Sequence, residues 1–504
     1  MNSPLPLYNG QAVAAGEVPV FDPARFRDLV VRAVSDGGRI VSFFGAPSGV
    51  DTVRLYAVLA GNLSGGLAIL ATDVTDRYPA LTPDCEQAHW FEREIAEQWG
   101  VRPEGHPWLK PIRFHHSYRP GHDAWGRGNG PLRPSVTDFF RVEGEEVHEV
   151  AVGPVHAGVI EPGHFRFQCH GENVMHLEIS LGYQHRGVEP ALRGGPDSRT
   201  IHLMETLAGD STIGHATAYC DLMESLAGAQ VPARAQMLRG IGAELERVAN
   251  HVGDLGALAG DVGFLPTQNY CGRIRGDVLN LTALLCGNRF GRGIVVPGGV
   301  AWDLEPGRAR ELLDRLTTIE TDLAVAVPLM FDAPSVMARL EGAGTLSLET
   351  AERIGLVGGP ARACGLVRDV RTQMPYDAYR FATLPVSTYH TGDCFARAYV
   401  RWLETQRSID LTRQLIEELA DGPLSRPCGA PGPEKIAVAL TEGWRGEICH
   451  VAATDGDGRF RFYKVVDPSF HNWFGLALAL RDQQVSDFPL CNKSFNLSYC
   501  GHDL

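Results

Sequence analysis

The densest run of chemically capable side chains is GPVHAGVIEPGHFRFQCHGENVMHLEISLGYQHRGVE, residues 153–189. It carries His156, Glu161, His164, His185, Arg186 and Glu189, and His215 follows in ETLAGDSTIGH. Imidazoles titrate near neutral pH, and a carboxylate buried against apolar walls has its pKa raised into the same range, so this set suits proton transfer. The same residue types also build inert, fully paired polar networks, and both readings stand at this point. Gly209, Asp210, Ser211, His215, Cys500 and His502 include donor types that a metal or cofactor could use, but nothing in their spacing makes them converge. The 11 cysteines are scattered singly and include no CxxC pair, so no metal site and no disulfide framework is expected. Most should be small buried hydrophobes.

Glu244, Arg247 and His251 fall at i, i+3 and i+7 on one helix face. They either extend a polar network inward or lock neighbouring helices through ion pairs.

Positioning these groups requires a scaffold, which the patterning outlines as α+β. Three apolar runs, Arg39–Phe44, Val53–Ala60 and Gly66–Ala71, read as strands, and 87–98 reads as a helix. These make a small N-terminal α+β docking domain over residues 1–116. A Gly- and Pro-rich stretch (SYRPGHDAWGRGNGPLRPSV) marks a linker over 117–150. From 151 to 504 short strands at Phe165–Cys169 and Val174–Ile179 precede a mostly helical domain with small β additions. Its predicted helices are Tyr219–Leu226, Ala233–Leu258, Arg308–Leu329 and Cys394–Leu419, and strand character returns over Glu447–Val466.

At 504 residues, 44% hydrophobic and 21% charged, the chain is long enough for two or three cored domains. The net charge of −14 argues against a nucleic-acid partner. No run approaches the roughly 18–20 apolar residues of a membrane span, and no signal peptide is expected at the N-terminus.

Several ordered blocks carry a family resemblance. CEQAHWFEREIAEQWGVRPEGHPWLKPI (85–112), with Glu92-Arg93-Glu94 and Gly105-His106-Pro107, resembles the docking subunit of respiratory complex I. Residues 153–189, VPARAQMLRGIGAELERVANH (231–251), GGPARACGLVRDVR (358–371), GDCFARAYVRWLETQRSI (392–409), EGWRGEICHV (442–451) and KVVDPSFHNW (464–473) resemble the large subunit of group-4 nickel–iron hydrogenases and its counterpart in complex I. The nearest pattern is the formate hydrogenlyase type.

That resemblance implies four metal thiolates, in two CxxC pairs. In the matching register this chain has Ala208, Ser211, Leu497 and Cys500. The quinone-binding Tyr of complex I falls at or beside Gly209, so that pattern is broken too. Glu161 stands where the hydrogenases have a proton-relaying glutamate, and His156 keeps the loop histidine. The resemblance therefore implies a peripheral-arm oxidoreductase subunit at the cytoplasmic face of a membrane. Its partners would be an iron–sulfur small subunit and antiporter-like membrane subunits. The chain itself would hold no cofactor, and a quinone or other small acceptor is the candidate ligand. A catalytically silent scaffold is the alternative, and a hydrogenase with non-thiolate ligands a third; only GHDL follows Cys500, where hydrogenases carry a removable extension.

Overall fold

A computed structural model describes residues 3–49, 51–61, 65–128, 130–156 and 160–504. The α+β class holds. Near the N-terminus, Arg39–Pro47, Val53–Ala60 and Leu67–Val74 pair antiparallel, with Leu5–Leu7 at one edge and Val20–Phe21 parallel to Leu67–Val74. The helix His89–Trp99 packs on this sheet and ends at Gly100, whose φ of +67° suits a residue without Cβ. A Cβ there would also meet the backbone of His122 at 2.7 Å.

Glu92 and Glu94 on this helix are buried. Glu92 accepts backbone N–H bonds from Leu81 and Thr82 at 2.8 and 3.0 Å. Glu94 pairs with Arg113 and, at 2.7 Å, with Lys464 far along the chain. The N-terminal domain is thus bound to the rest of the molecule by a buried ion cluster. The division expected at residue 116 is also crossed by the strand Gln11–Ala14, which pairs with Lys435–Val438. Residues 117–146 carry no helix or strand among the described residues. They lie along the first domain, with the Arg119 guanidinium donating to the carbonyls of Thr75 and Asp51. Val147–Val152, which straddles the expected linker boundary at residue 150, is the edge strand paired with His164–His170, whose other neighbour is Asn173–Ser180.

The large domain is built on Ala233–Asp261. Leu238, Ile241, Leu245, Val248, Val252, Leu255 and Leu258 are fully buried along one face of this helix, each stabilising by about 1.5–3 kcal/mol. Thr212–Ala227, Leu265–Cys286, Pro306–Ala326 and Cys394–Glu417 complete the helical layer. The helix expected over Arg308–Leu329 breaks at Pro328, which starts a separate turn, Pro328–Phe331. A four-stranded antiparallel sheet runs Phe460–Val466, Gly446–Thr454, Lys435–Gly443, Gln11–Ala14. Short helices Pro468–Ala479, Phe488–Phe495 and Tyr499–Asp503 close the chain. No single helix among the described residues is long and apolar enough to cross a membrane. All 11 cysteines are unbridged, and nine are buried.

Candidate functional site

The site forms where three distant segments meet. The loop 181–187 clasps the last residues of the chain. Asp503 accepts N–H bonds from Gly182 and Gln184 at 2.8 and 2.9 Å, and the Leu504 carbonyl accepts from Arg186 and Gly187 at 2.8 and 3.1 Å. Gly182 has φ +96°, and a Cβ there would lie 2.6 Å from the Arg113 carbonyl, so the clasp depends on glycine. The Arg186 guanidinium donates to the carbonyls of Thr206 and Leu207 at 2.7 and 3.0 Å and to that of Cys500 at 3.0 Å. One side chain therefore bridges the segment before Ala208 and the turn holding Cys500.

Glu161 enters from the third segment. Its carboxylate accepts the Tyr499 backbone N–H at 3.1 Å and adjoins the Cys500 thiol. Burial, and then the Glu161 charge, push that thiol up to about 11. Asp210 faces the same region but is occupied. Both its carboxylate oxygens accept from Arg445, at 2.6 and 2.7 Å, and its carbonyl accepts from Trp444 and Asn250 at 2.9 Å. Arg445 also donates to the Asn496 carbonyl at 2.6 Å. Gly209 and Asp210 line a narrow pocket with Glu246, whose carboxyl burial pushes up to about 8. Ser211 is buried at the start of the helix Thr212–Ala227.

The structure separates the rest of the expected set. The His156 ring is bonded to the Gly163 carbonyl at 3.0 Å, beside residues 157–159, which lie outside the described residues. His164 is bonded to the Gly153 carbonyl at 3.3 Å, and burial lowers its pKa. His185 donates to the Asp503 carbonyl at 2.8 Å and stacks on His115, its pKa held down to about 4 by burial and then by His115. Glu189 turns toward the N-terminal domain, pairing with Lys464 at 2.9 Å and accepting from Gln98 at 3.0 Å. His502 is fully buried, bonded to Asp503 at 3.0 Å.

His215 lies deeper. Its Nε2 is 3.0 Å from Asp467 and its Nδ1 is 3.1 Å from Nε2 of His450, whose Nδ1 is 2.7 Å from the Tyr463 hydroxyl. Arg445, His450, Tyr463 and Asp467 sit in the EGWRGEICHV and KVVDPSFHNW neighbourhoods, but local spacing says nothing of their roles. Glu244, Arg247 and His251 each tie the central helix to a different element. Glu244 pairs with Arg371 at 3.1 Å, Arg247 donates to the carbonyls of Glu442 and Gly443, and His251 meets Glu404 at 2.8 Å.

The donor set does not fit a nickel–iron centre. Soft metals of that kind need thiolates. Ala208 and Leu497 offer no donor, Ser211 is a hydroxyl, and the neighbouring carboxylate of Asp210 is spoken for by Arg445. Cys500 is the single thiol at these positions. Among the described residues no cluster of three His, Cys, Asp or Glu is arranged to hold a metal ion.

Comparison with known proteins places these features in a lineage. Residues 261–430 match the model for the 49-kDa subunit of respiratory-chain NADH dehydrogenase, and residues 39–137 match that for its 30-kDa subunit. The carbon monoxide-induced hydrogenase of Rhodospirillum rubrum is 33% identical over 350 residues, which are 69% of this chain and 97% of that protein. Formate hydrogenlyase subunit 5 of Escherichia coli is 28% identical, covering 84% of this chain and 76% of its own. The C/D protein of the NADH-quinone oxidoreductase of Bacteroides thetaiotaomicron is also 28% identical, over 82% of this chain and 83% of its own. Among solved structures, a chain of the membrane-bound sulfane sulfur reductase, an archaeal respiratory membrane complex, shares the fold. Its TM-score is 0.67 at 23% identity, over 71% of this chain and 99% of that one.

Proposed function

Because the chain belongs to the family that unites the 30- and 49-kDa subunits of respiratory NADH dehydrogenase with their hydrogenase relatives, we propose that it is a peripheral-arm subunit that couples electron arrival to proton displacement without a nickel–iron site. Electrons come from an iron–sulfur cluster in a small-subunit partner. Antiporter-like membrane subunits anchor the assembly at the cytoplasmic face. The chain itself contributes no redox cofactor, and its cavity receives a quinone or another small acceptor.

The observation that carries this reading is the Glu161–Cys500 contact. A carboxylate is kept beside the one thiol that survives at the four positions of the metal-donor pattern, where it can accept and pass on a proton. Arg186 holds the two walls together, and Arg445 neutralises Asp210.

A silent scaffold is the second reading, favoured by one observation: Asp210 and Arg445 satisfy each other and require no ligand. The intact complex in inverted vesicles distinguishes them, with dithionite-reduced methyl viologen as donor and decylubiquinone as acceptor. Glu161→Gln and His156→Ala should each lower quinone reduction and the accompanying proton movement by roughly 10- to 100-fold. Unchanged rates in both variants establish the scaffold.

A further inference from the structure

Asp467, His215, His450 and Tyr463 form one line of hydrogen bonds, and all four are at least 97% buried. Burying four polar side chains in a core is costly unless each is paired, and here every polar ring atom is. With Asp467 ionised and each imidazole carrying a single N–H, the pairing admits one arrangement of protons. Tyr463 donates its O–H to Nδ1 of His450, His450 donates Nε2–H to Nδ1 of His215, and His215 donates Nε2–H to Asp467. In that arrangement each imidazole has one donor and one acceptor. Burial pushes the Asp467 carboxyl up, but the hydrogen bond from His215 and the nearby Arg445 charge lower it and the group is held low.

The line has two ends. At the inner end Asp467 packs beneath Gly501, next to Cys500; a Cβ on Gly501 would lie 2.7 Å from its carboxylate. Arg445 faces it there and carries Asp210 on its other side. At the outer end Tyr463 lines a crevice of about 20 Å³ with Glu189, Gln98, Tyr118, Arg193 and Lys464, at the seam with the N-terminal domain. That volume accommodates about one water molecule. Cys220, Cys449 and Tyr219 are the other titratable groups near the phenol, and the first two are fully buried.

We propose that these four residues are a proton wire leading from the seam crevice to the segment that holds Cys500 against Glu161, which rests on the proton-coupling reading above. In one passage Asp467 takes the Nε2 proton of His215, forming O–H as N–H breaks. His215 takes the His450 proton at Nδ1, His450 takes the phenolic proton at Nδ1, and Tyr463 recovers a proton from water in the crevice, whose hydroxide is neutralised by a proton from bulk solvent. One proton leaves the crevice and one arrives at Asp467, with no net oxidation. Burial holds the His450 pKa well down and the Tyr463 pKa well up, so neither a His450 imidazolium nor a tyrosinate accumulates.

The test uses the intact complex in inverted vesicles, with reduced methyl viologen and decylubiquinone, in H2O and D2O. His450→Gln keeps a donor and an acceptor but cannot pass a proton through a ring, and Tyr463→Phe removes one hydroxyl. Each should lower proton uptake at least about tenfold and change the solvent isotope effect, with melting temperature and co-purification of the partners as in the parent. A merely structural role predicts that His450→Gln is silent. If His450→Gln does not assemble, Tyr463→Phe carries the comparison. Parent-like rates and isotope effect in the assembling variants, alongside a defective Glu161→Gln, overturn the wire and leave the cavity reading intact. If Glu161→Gln is also silent, both fall.

Discussion

Asp210 and Arg445 face each other in a two-armed ion pair, 2.6 and 2.7 Å, at the place where the hydrogenase-like pattern calls for metal donors. The pair ties the turn before Thr212–Ala227 to the hairpin at Gly443–Gly446, and through the Asn496 carbonyl to the C-terminal segment. Arg445 is 7% exposed, so removing its carboxylate leaves a buried cation short of partners. Asp210→Asn should cost about 1–3 kcal/mol in urea unfolding, because the Asp210 side chain is 35% exposed and solvent screens part of the loss. Arg445→Lys should cost a similar amount, since an ammonium cannot fork to both oxygens. A change below about 0.5 kcal/mol in both would show that the pair contributes nothing to holding the cavity shut.

Cys500 offers a direct chemical reporter of Glu161. Its thiol is pushed up to about 11 by burial first and by the carboxylate second. Glu161→Gln removes the second cause only, so the thiol should titrate lower while remaining above its ordinary value of 9.0. Iodoacetamide alkylation against pH, in a Cys428→Ser background, reads this directly, because the remaining nine cysteines are buried. An unshifted alkylation profile would mean that the carboxylate does not act on the thiol.

Much of the scaffold was legible because local pattern and burial coincide. Ala233–Leu258 stands out through apolar residues three and four apart, and the helix found differs only by its last turn. Leu265–Cys286 has the same periodicity in Cys271, Ile274, Val278, Leu281 and Leu285, but a polar opening and two glycines obscured it. Lys435–Gly443 escaped because eight of its nine residues are buried, leaving no alternation to read. The Glu161–Cys500 meeting brings in a backbone bond that spans 338 residues of chain, and family resemblance alone pointed to it. His215 lies 235 and 252 residues from its two partners, His450 and Asp467, which no local spacing encodes. His185 and Glu189 share a block with Glu161 yet face elsewhere, because the Gly182 turn swings the chain toward the N-terminal domain.

The pH dependence of stability follows from three histidines, His471 buried and His106 and His185 half-buried. His106, His185 and His471 are held down to about 4 from an ordinary 6.5, chiefly by burial. Between those values the unfolded chain binds protons that the folded chain refuses, so stability rises with pH across that window. The melting temperature should therefore fall steadily as pH drops from about 6.5 to about 4, with little contribution from these groups above 6.5. Replacing His185 by Asn should flatten part of the slope. A melting temperature independent of pH across that interval would show the rings to be more open to water than their packing implies.

Glu244 decides whether the buried ion network is a lock. It is fully buried and accepts from Tyr379 and Ser408 at 2.5 Å and from Arg371 at 3.1 Å. Burial pushes its carboxyl up, but Arg371 and Arg247 more than compensate and hold it below the usual range. Three elements therefore converge on one anion: the central helix, the helix Cys394–Glu417 that carries Ser408, and the turns at 370–380. Glu244→Gln keeps the shape but turns a donor toward Arg371 and withdraws its counter-charge. The expected cost is about 3–5 kcal/mol, the range for breaking a buried pair from one side. His251→Asn, which loses one bond to Glu404 while Arg362 still pairs with that carboxylate at 2.7 Å, should cost less. Urea unfolding of the two variants gives the order, and a larger loss at His251 than at Glu244 would move the centre of the lock to Glu404.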